Sequence, residues 1–269
     1  MTRAAHVTTD RRTIVRVAGG ERSSAADALA VEEPVEFRLG STPIAVLMRT
    51  PGADVDLARG FALTEGIILR PAELVNVRLL GDGADGGRYE LVLAESVSVD
   101  PEQFRRNLYA TSSCGVCGKA SIDAVRVAAR PLPAGPVVAT SVLSKVAAKM
   151  RAAQTGFAAS GGLHAAAAFD AAGRVLDVRE DIGRHNAVDK VVGALSWSWW
   201  PLGELGLMVS GRVSFEMVQK AAVAGFSVVA GLSAASSLAV DLADELGVTV
   251  VGFVRSASCN IYSNSRRIR

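Results

Sequence analysis

Between residues 163 and 254 the chain alternates short, almost unbroken apolar runs with segments of helical period, and this alternation restricts the fold most. Residues 163–169, 174–178, 207–209, 226–229 and 248–254 read as strands. Residues 184–195, 214–224 and 236–246 read as helices, the last stopped by Gly247. Strands covered on both faces lose the polar–apolar alternation of a half-exposed sheet. The pattern predicts a three-layer α/β domain over 137–269 with a largely parallel sheet. Ser141 can cap one further helix, running to Gln154.

The earlier half reads differently. Val35-Glu36-Phe37-Arg38-Leu39 alternates, Gly40-Ser41-Thr42-Pro43 turns, and Ile44-Ala45-Val46-Leu47-Met48 returns. Asp54 can cap a helix carrying Leu57, Ala58, Phe61, Ala62 and Leu63, ending near Gly66. Strands are expected at 67–69, 75–80 and 89–93, with a flexible hairpin tip at 81–87. Residues 32–110 therefore suggest a small α+β subdomain. Residues 111–136 form a cysteine loop, a helix and a linker ending in Pro131-Leu132-Pro133-Ala134-Gly135-Pro136. Residues 1–31, polar and bearing Arg3, Arg11, Arg12 and Arg16, suggest a disordered or loosely docked arm.

Composition narrows the function. The 269 residues are 49% apolar, enough for a large core, and the formal net charge is only +2. No global basic field is present to drive nucleic-acid binding. No apolar run approaches the ~18 residues a membrane span needs, and the N-terminus lacks a secretory apolar block. A cytoplasmic protein is expected, with no nucleic-acid partner and no membrane insertion. Three cysteines are too few for a disulfide framework.

Two of those cysteines stand in Thr111-Ser112-Ser113-Cys114-Gly115-Val116-Cys117-Gly118-Lys119. Glycines after both let the backbone turn and expose the sulfurs. The apolar-periodic Ile122, Val125 and Val127 follow, so the reading is a loop feeding a helix. A thiol near a helix start, with Lys119 close by, becomes more acidic and a better nucleophile. Such a thiolate can hold a metal, form a disulfide or carry sulfur as a persulfide. Zinc would need His164, His185 or Cys259 to complete its ligands. Thioredoxin-type redox chemistry usually puts the motif directly after a strand, whereas serines precede it here.

A second constellation follows the strands. Ser160-Gly161-Gly162-Leu163-His164, Arg179-Glu180-Asp181-Ile182-Gly183-Arg184-His185-Asn186, Ser210-Gly211-Arg212-Val213-Ser214 and Phe253-Val254-Arg255-Ser256-Ala257-Ser258 each flank a predicted strand end. In α/β sheets ligands bind beyond the carboxyl ends of the strands. Glycines, serines, arginines and helix starts converging there suit an anionic, phosphorylated ligand; ordinary helix caps and surface ion pairs are the plainer alternative. His164 is either a satisfied structural histidine or a catalyst. Asp181 could orient the ring of His185. Glu216 and Lys220, four apart, read as a solvated ion pair. Trp197, Trp199 and Trp200 either expose an interaction patch or cover a sheet end.

Together these segments resemble the FdhD/NarQ family of formate dehydrogenase accessory sulfurtransferases, from about Glu33 to Tyr262. The matching motifs are Glu33-Pro34, Met48-Arg49-Thr50-Pro51-Gly52, Gly60-Phe61, Glu65-Gly66-Ile67-Ile68, Ser113-Cys114-Gly115-Val116-Cys117-Gly118, Gly161-Gly162-Leu163-His164-Ala165-Ala166, the stretch Glu180 to Lys190, Ser210-Gly211-Arg212 and Gly252-Phe253-Val254-Arg255. The resemblance implies a three-layer cytidine-deaminase-like α/β core without the deaminase zinc, beside the small N-terminal α+β subdomain. It implies a sulfur carrier that takes persulfide sulfur from a cysteine desulfurase on Cys114, with Cys117 its neighbour. That carrier would deliver sulfur to the Mo-bis(molybdopterin guanine dinucleotide) cofactor and so make formate dehydrogenase apoenzyme competent. A non-catalytic chaperone for the same cofactor is the alternative.

The resemblance also places the cofactor against Phe253, Val254, Arg255, Ser256, Ala257 and Ser258. Gly161, Gly162, His164, Arg184, His185, Ser210 and Arg212 lie around it. Guanosine diphosphate is expected to stand in for the cofactor, with Arg255 its main phosphate contact. A homodimer and no zinc are expected. Ser256-Ala257-Ser258-Cys259 departs from the family's glycines, second arginine and aromatic, which removes one phosphate partner.

Overall fold

The structure, a computed structural model, describes residues 8–81, 87–100 and 129–269. The cysteine loop, the helix expected after it and most of the hairpin tip at 81–87 lie outside them.

β1 (Thr9–Ala18) and β2 (Glu21–Ala30) pair antiparallel across Gly19-Gly20, whose positive φ values of 58° and 85° only glycine adopts readily. A hairpin thus stands where a disordered or loosely docked arm was expected. Its strands are exposed along most of their length, so they lack the one-sided apolar pattern that marks a strand in sequence. The base of the hairpin is tied down, since Thr50 Oγ1 donates to Val31 O at 3.0 Å.

β3 (Glu33–Leu39) buries Val35, Phe37 and Leu39 and leaves Glu36 and Arg38 half-buried, the alternation of a one-faced sheet. It pairs antiparallel with β4 (Thr42–Arg49) and parallel with β6 (Gly87–Leu93), which pairs with β5 (Leu74–Leu79). Helix α1 (Asp54–Thr64) covers this sheet. Its N-cap position is Ala53, not Asp54. The Asp54 carboxylate instead takes Arg49 Nε and Nη2 at 2.9 and 3.2 Å and the Tyr89 hydroxyl at 3.1 Å. Residues 67–69, expected as a strand, run outside the sheet.

The larger sheet has six strands in the order β12-β11-β10-β9-β7-β8. Around it lie α2 (Thr140–Ala153), α3 (Thr155–Ser160), α4 (Arg184–Leu195), α5 (Phe215–Ala224) and α6 (Ser237–Leu246). The strands are β7 (His164–Phe169), β8 (Val175–Asp181), β9 (Gly206–Val209), β10 (Val228–Gly231), β11 (Thr249–Gly252) and β12 (Asn260–Ile261). Only the β9–β10 and β10–β11 pairings are parallel; β7–β9, β7–β8 and β11–β12 pair antiparallel. The sheet is therefore mixed rather than largely parallel. The cause is local: the link from Phe169 to Val175 is a tight turn in which Gly173 N donates to Asp170 O and Asp170 N to Arg174 O. A link that short cannot cross over to make a parallel neighbour.

Alternate residues of these strands belong to two apolar clusters. Ala166, Ala168, Leu207, Val209, Val229 and Val250 pack with α1, α4, α5 and α6. Ala165, Ala167, Phe169, Met208, Ala230 and Val251 pack against Leu143, Val146 and Met150 of α2. The first cluster also takes in Val35, Phe37 and Leu57, so the apolar core is continuous from the small sheet to the large one.

That continuity runs through the crossing of α1 and α4. A Cβ on Gly60 would lie 1.8 Å from Asp189 O, and one on Gly193 would lie 1.8 Å from Asp56 O. Both positions must be glycine for the helices to touch along their backbones. Beside the crossing, Lys220 Nζ on α5 donates to Asp189 Oδ1 and Oδ2 at 3.0 and 2.9 Å, to Glu65 Oε1 at 2.8 Å and to Thr64 Oγ1 at 2.9 Å. Thr64 Oγ1 in turn donates to Asp189 Oδ1 at 2.7 Å. Burial works against the Lys220 charge, but Asp189 and Glu65 outweigh it and hold the ammonium above its ordinary value. The expected Glu216–Lys220 surface pair does not form, because Lys220 points into this buried network.

The tryptophans at 197–200 bind the chain's own surface. Arg59 stacks over the Trp197 ring 3.6 Å from its centre, and Trp200 Nε1 donates to Leu69 O at 3.2 Å. Trp197 and Trp199 nonetheless remain exposed.

Removing one member of a buried ion pair leaves its partner uncompensated. Lys220→Ala should lower unfolding free energy by about 3–5 kcal/mol, read as the shift in a urea denaturation midpoint at unchanged slope. A loss under about 1 kcal/mol would mean that Asp189 is compensated without it.

Candidate functional site

Parallel β9, β10 and β11 finish at a common edge of the large sheet. β7 runs against β9 with Ala166 opposite Val209, so His164, two residues earlier, comes level with the loop after β9. β8 runs against β7 and ends with Asp181 opposite His164. The four segments expected to meet at one sheet edge therefore do so.

The centre of this edge is Gly211. A Cβ there would lie 3.4 Å from His164 Nδ1, 3.5 Å from His164 Cε1 and 3.7 Å from Arg184 Cδ. The imidazole and the Arg184 side chain thus both come within contact distance of the place a Gly211 Cβ would take. Arg184 and His185 open α4, whose N-cap Gly183 supplies no side-chain acceptor and whose first turn holds no acid. Arg184 Nε and His185 Nε2 are buried and find no hydrogen-bond acceptor among the described residues. Arg212 is exposed beside them.

Burial first, then Arg184 and His185, push the His164 imidazole below its ordinary pKa; Asp181 opposes this and Arg212 adds to it. His185 Nε2 sits 3.6 Å from Glu216 Oε2, a charge contact rather than a hydrogen bond. Ser214 Oγ donates to the same oxygen at 2.9 Å. Burial would raise the Glu216 carboxyl, but His185 and Ser214 together hold it below its ordinary range. Glu216, which sequence reasoning left out of the site, lies in the first turn of the helix directly after Ser210-Gly211-Arg212-Val213-Ser214. That adjacency was the signal for it.

Asp181 does not orient His185. Its carboxylate accepts from Thr50 N, Gly183 N and Asn186 Nδ2 at 3.2, 2.8 and 2.9 Å, and pairs with Lys190 Nζ at 2.6 Å. Ser210 turns to the backbone, its Oγ accepting from Ala165 N at 2.9 Å. Gly161, with φ 69°, ends α3. Gly162 faces the last residue of the hairpin, where a Cβ on it would lie 3.1 Å from Ala30 Cβ.

Residues 253–258 make a separate part of the edge. Phe253 takes a left-handed φ of 49° and its ring is 40% exposed. Its N–H donates to Ser233 O at 3.0 Å, and Arg255 N donates to Ser258 O at 2.8 Å, closing a turn over Ser256 and Ala257. Arg255 Nη1 donates to Leu232 O at 2.6 Å and to Val254 O at 2.9 Å. This guanidinium ties the loop after β10 to the loop after β11. Val254 is buried, and Ser256, Ala257 and Ser258 are exposed. Cys114 and Cys117 lie outside the described residues.

A model of the FdhD/NarQ family matches residues 30–269. The chain belongs to that family. It is 48% identical to the sulfur carrier protein FdhD of Streptomyces coelicolor over 97% of this chain and 95% of that one. It is also 48% identical to the protein of the same name from Mycolicibacterium paratuberculosis, over 97% of this chain and 98% of that one. Among solved structures, a formate dehydrogenase accessory protein from Desulfotalea psychrophila superposes with a TM-score of 0.77, covering 98% of this chain and all of its own, at 20% identity. The mixed α/β fold is thus shared with that protein. Among the described residues no helix is long and apolar enough to cross a membrane.

Within this FdhD/NarQ chain, the stretch from Glu180 to Lys190 mostly builds rather than binds. Glu180 accepts from Gly156 N and Phe157 N at 2.8 and 2.7 Å. Asn186 Nδ2 donates to Met48 O and Lys190 Nζ to Thr50 O, both at 2.8 Å. Only Arg184 and His185 of this stretch turn to the edge around Gly211. Since Arg184 is the strongest charge depressing His164, Arg184→Gln should raise the His164 pKa toward the ordinary ~6.5. Proton NMR titration of the imidazole reads this directly; an unmoved midpoint would show that the two side chains do not face each other.

Proposed function

We propose that this chain is a cytoplasmic sulfur carrier that serves formate dehydrogenase maturation. It takes sulfur from a cysteine desulfurase as a persulfide on Cys114, with Cys117 beside it. It delivers that sulfur to molybdenum held by two molybdopterin guanine dinucleotides, as a homodimer with a cytidine-deaminase-like layering of its larger sheet. The observation that carries this reading is near-complete, 48% identity to proteins named sulfur carrier protein FdhD. The printed name of the Desulfotalea psychrophila protein supplies the link to formate dehydrogenase.

The first step is an exchange. The Cys114 thiolate attacks the terminal sulfur of the desulfurase persulfide; one S–S bond breaks, one forms, and the desulfurase cysteine leaves as thiolate. No net oxidation occurs. The molybdenum cofactor is the substrate of the second step: the S–S bond of the Cys114 persulfide would break, Cys114 would leave as thiolate, and the reduced metal would supply the two electrons that take the transferred sulfur to sulfide.

The residues at the sheet edge fit such a client. Its phosphates are anionic, and the edge offers a buried Arg184 Nε with no acceptor among the described residues, together with a glycine floor that a side chain would fill. Residues 253–258, with exposed Phe253 and a turn closed by backbone hydrogen bonds, offer a shaped surface for the rest of a guanine nucleotide.

Incubation with a cysteine desulfurase and cysteine should add one sulfur (about 32 Da) to Cys114, located by mass spectrometry. Cys114→Ala should abolish sulfuration of the cofactor and formate dehydrogenase activation, while leaving guanosine diphosphate affinity unchanged. Full activation by Cys114→Ala would reduce the chain to a cofactor chaperone. A strictly monomeric mass at micromolar concentration, with and without nucleotide, would remove the homodimer.

A further inference from the structure

Two sets of positive charges among the described residues contrast. Lys190, Lys220 and Arg49 are buried against Asp181, Asp189 and Asp54. Around Gly211 the balance is different. His164, Arg184, His185 and Arg212 face one another, and Glu216 is the carboxylate in contact with them, through His185 alone. Asp181, the nearest other acid, gives both oxygens to Thr50, Gly183, Asn186 and Lys190.

Resting on the nucleotide-binding reading above, we propose that the diphosphate of a guanine nucleotide sits on Gly211 beside His164 and Arg184, and that Arg255 is a brace of the neighbouring loop rather than a phosphate ligand. Three observations carry this. Gly211 leaves open the place where a Cβ would lie 3.4 Å from His164 Nδ1 and 3.7 Å from Arg184 Cδ, so a phosphoryl oxygen can approach there beside both side chains. Arg184 Nε is a buried donor with no acceptor among the described residues, and such a group is costly unless a ligand completes it. Arg255 Nη1 already serves two carbonyls, Leu232 O and Val254 O.

The same geometry couples binding to a proton. The groups facing His164 are Arg184 and His185 from α4, Asp181 from the end of β8 and Arg212 from the loop after β9. Burial first, then Arg184, His185 and Arg212, disfavour the charged form of His164. An arriving phosphate dianion offsets those cations and favours protonated His164. The pKa of His164 is therefore higher in the complex than in the free protein. Affinity should be greatest below the free-state pKa and fall as pH rises through the complexed one, with a proton taken up on binding between the two.

Isothermal titration of the full chain with guanosine diphosphate, guanosine and inorganic pyrophosphate tests this. Gly211 has no positive φ and its added methyl would make ordinary contacts, so Gly211→Ala should fold, as circular dichroism checks. Gly211→Ala and Arg184→Gln should each weaken guanosine diphosphate and pyrophosphate by about tenfold to a hundredfold and leave guanosine unchanged. Arg255→Ala should change guanosine and guanosine diphosphate by equal factors. Titrations in two buffers of different ionisation enthalpy should show a proton uptake by wild type that His164→Asn lacks; comparing the two proteins cancels the proton of the phosphate itself. If wild type binds guanosine diphosphate but Gly211→Ala and Arg184→Gln bind it equally well, the phosphates lie elsewhere and the present inference fails while the nucleotide reading stands. A selective loss of diphosphate affinity in Arg255→Ala alone overturns the brace. No binding by wild type overturns both.

Discussion

The contact on which the rest depends is the backbone-to-backbone crossing of α1 and α4. Gly60 and Gly193 each leave room for a carbonyl of the opposite helix where a Cβ would stand. The carbonyl that meets Gly60 belongs to Asp189, whose side chain is also the acceptor for Lys220 and Thr64. Helix approach and buried ion pair are thus fixed at a single residue. Neither is stable without the other: a wider crossing would admit water and separate Thr64 from Asp189, and an unpaired Asp189 would force the helices apart. α4 positioned in this way sets where its first turn lies, and that turn carries Arg184 and His185.

A second buried pair works at the other end of α4. Lys190 joins Asp181 and the Thr50 carbonyl, while Asn186 reaches Met48 O. Ile182 N donates to Thr50 Oγ1, so the end of β8 and the end of β4 are locked together. The small sheet is consequently not an appendage. Its last strand and its helix hold the loop that presents the site, and the net charge of +2 conceals the outcome. Lys190, Lys220 and Arg49 are neutralised in pairs at the seams, while His164, Arg184, His185 and Arg212 gather along one edge.

Much of this was legible. Strands 35–39, 44–48, 163–169 and 207–209 and the helices at 184–195 and 236–246 follow from period and from Gly247, because their burial is one-sided or complete. The convergence of four polar segments on one edge also followed from their shared position after strands. What was not legible depended on tertiary contacts. Glu216 and Lys220 have ideal spacing for a surface pair, but spacing cannot reveal that Lys220 meets Asp189, 31 residues away in sequence. The same holds for Asp181, adjacent enough to His185 to orient it, yet drawn inward by Thr50 and Lys190. The hairpin at Thr9–Ala30 escaped because neither of its faces is covered well enough to imprint an apolar period. Gly19-Gly20 between Ile14-Val15 and the following strand was its one local signal.

The antiparallel start of the large sheet decides what the site contains. In an all-parallel sheet the beginning of every strand lies opposite the carboxyl edge, and His164, the first residue of β7, would be a whole strand length from Gly211. The tight turn at Asp170–Arg174 prevents that by reversing the chain between β7 and β8, which lets β7 pair antiparallel with β9 as well. The reversal brings Gly161, Gly162 and His164 to the edge where the parallel strands deliver Ser210, Gly211 and residues 253–258. A glycine floor then has beside it an imidazole from a strand start and the Arg184 side chain from a helix start. Both side chains belong to rigid elements, and the floor alone is loop. An anion bound there would be gripped by groups whose positions are fixed before it arrives, which reduces the ordering cost of binding.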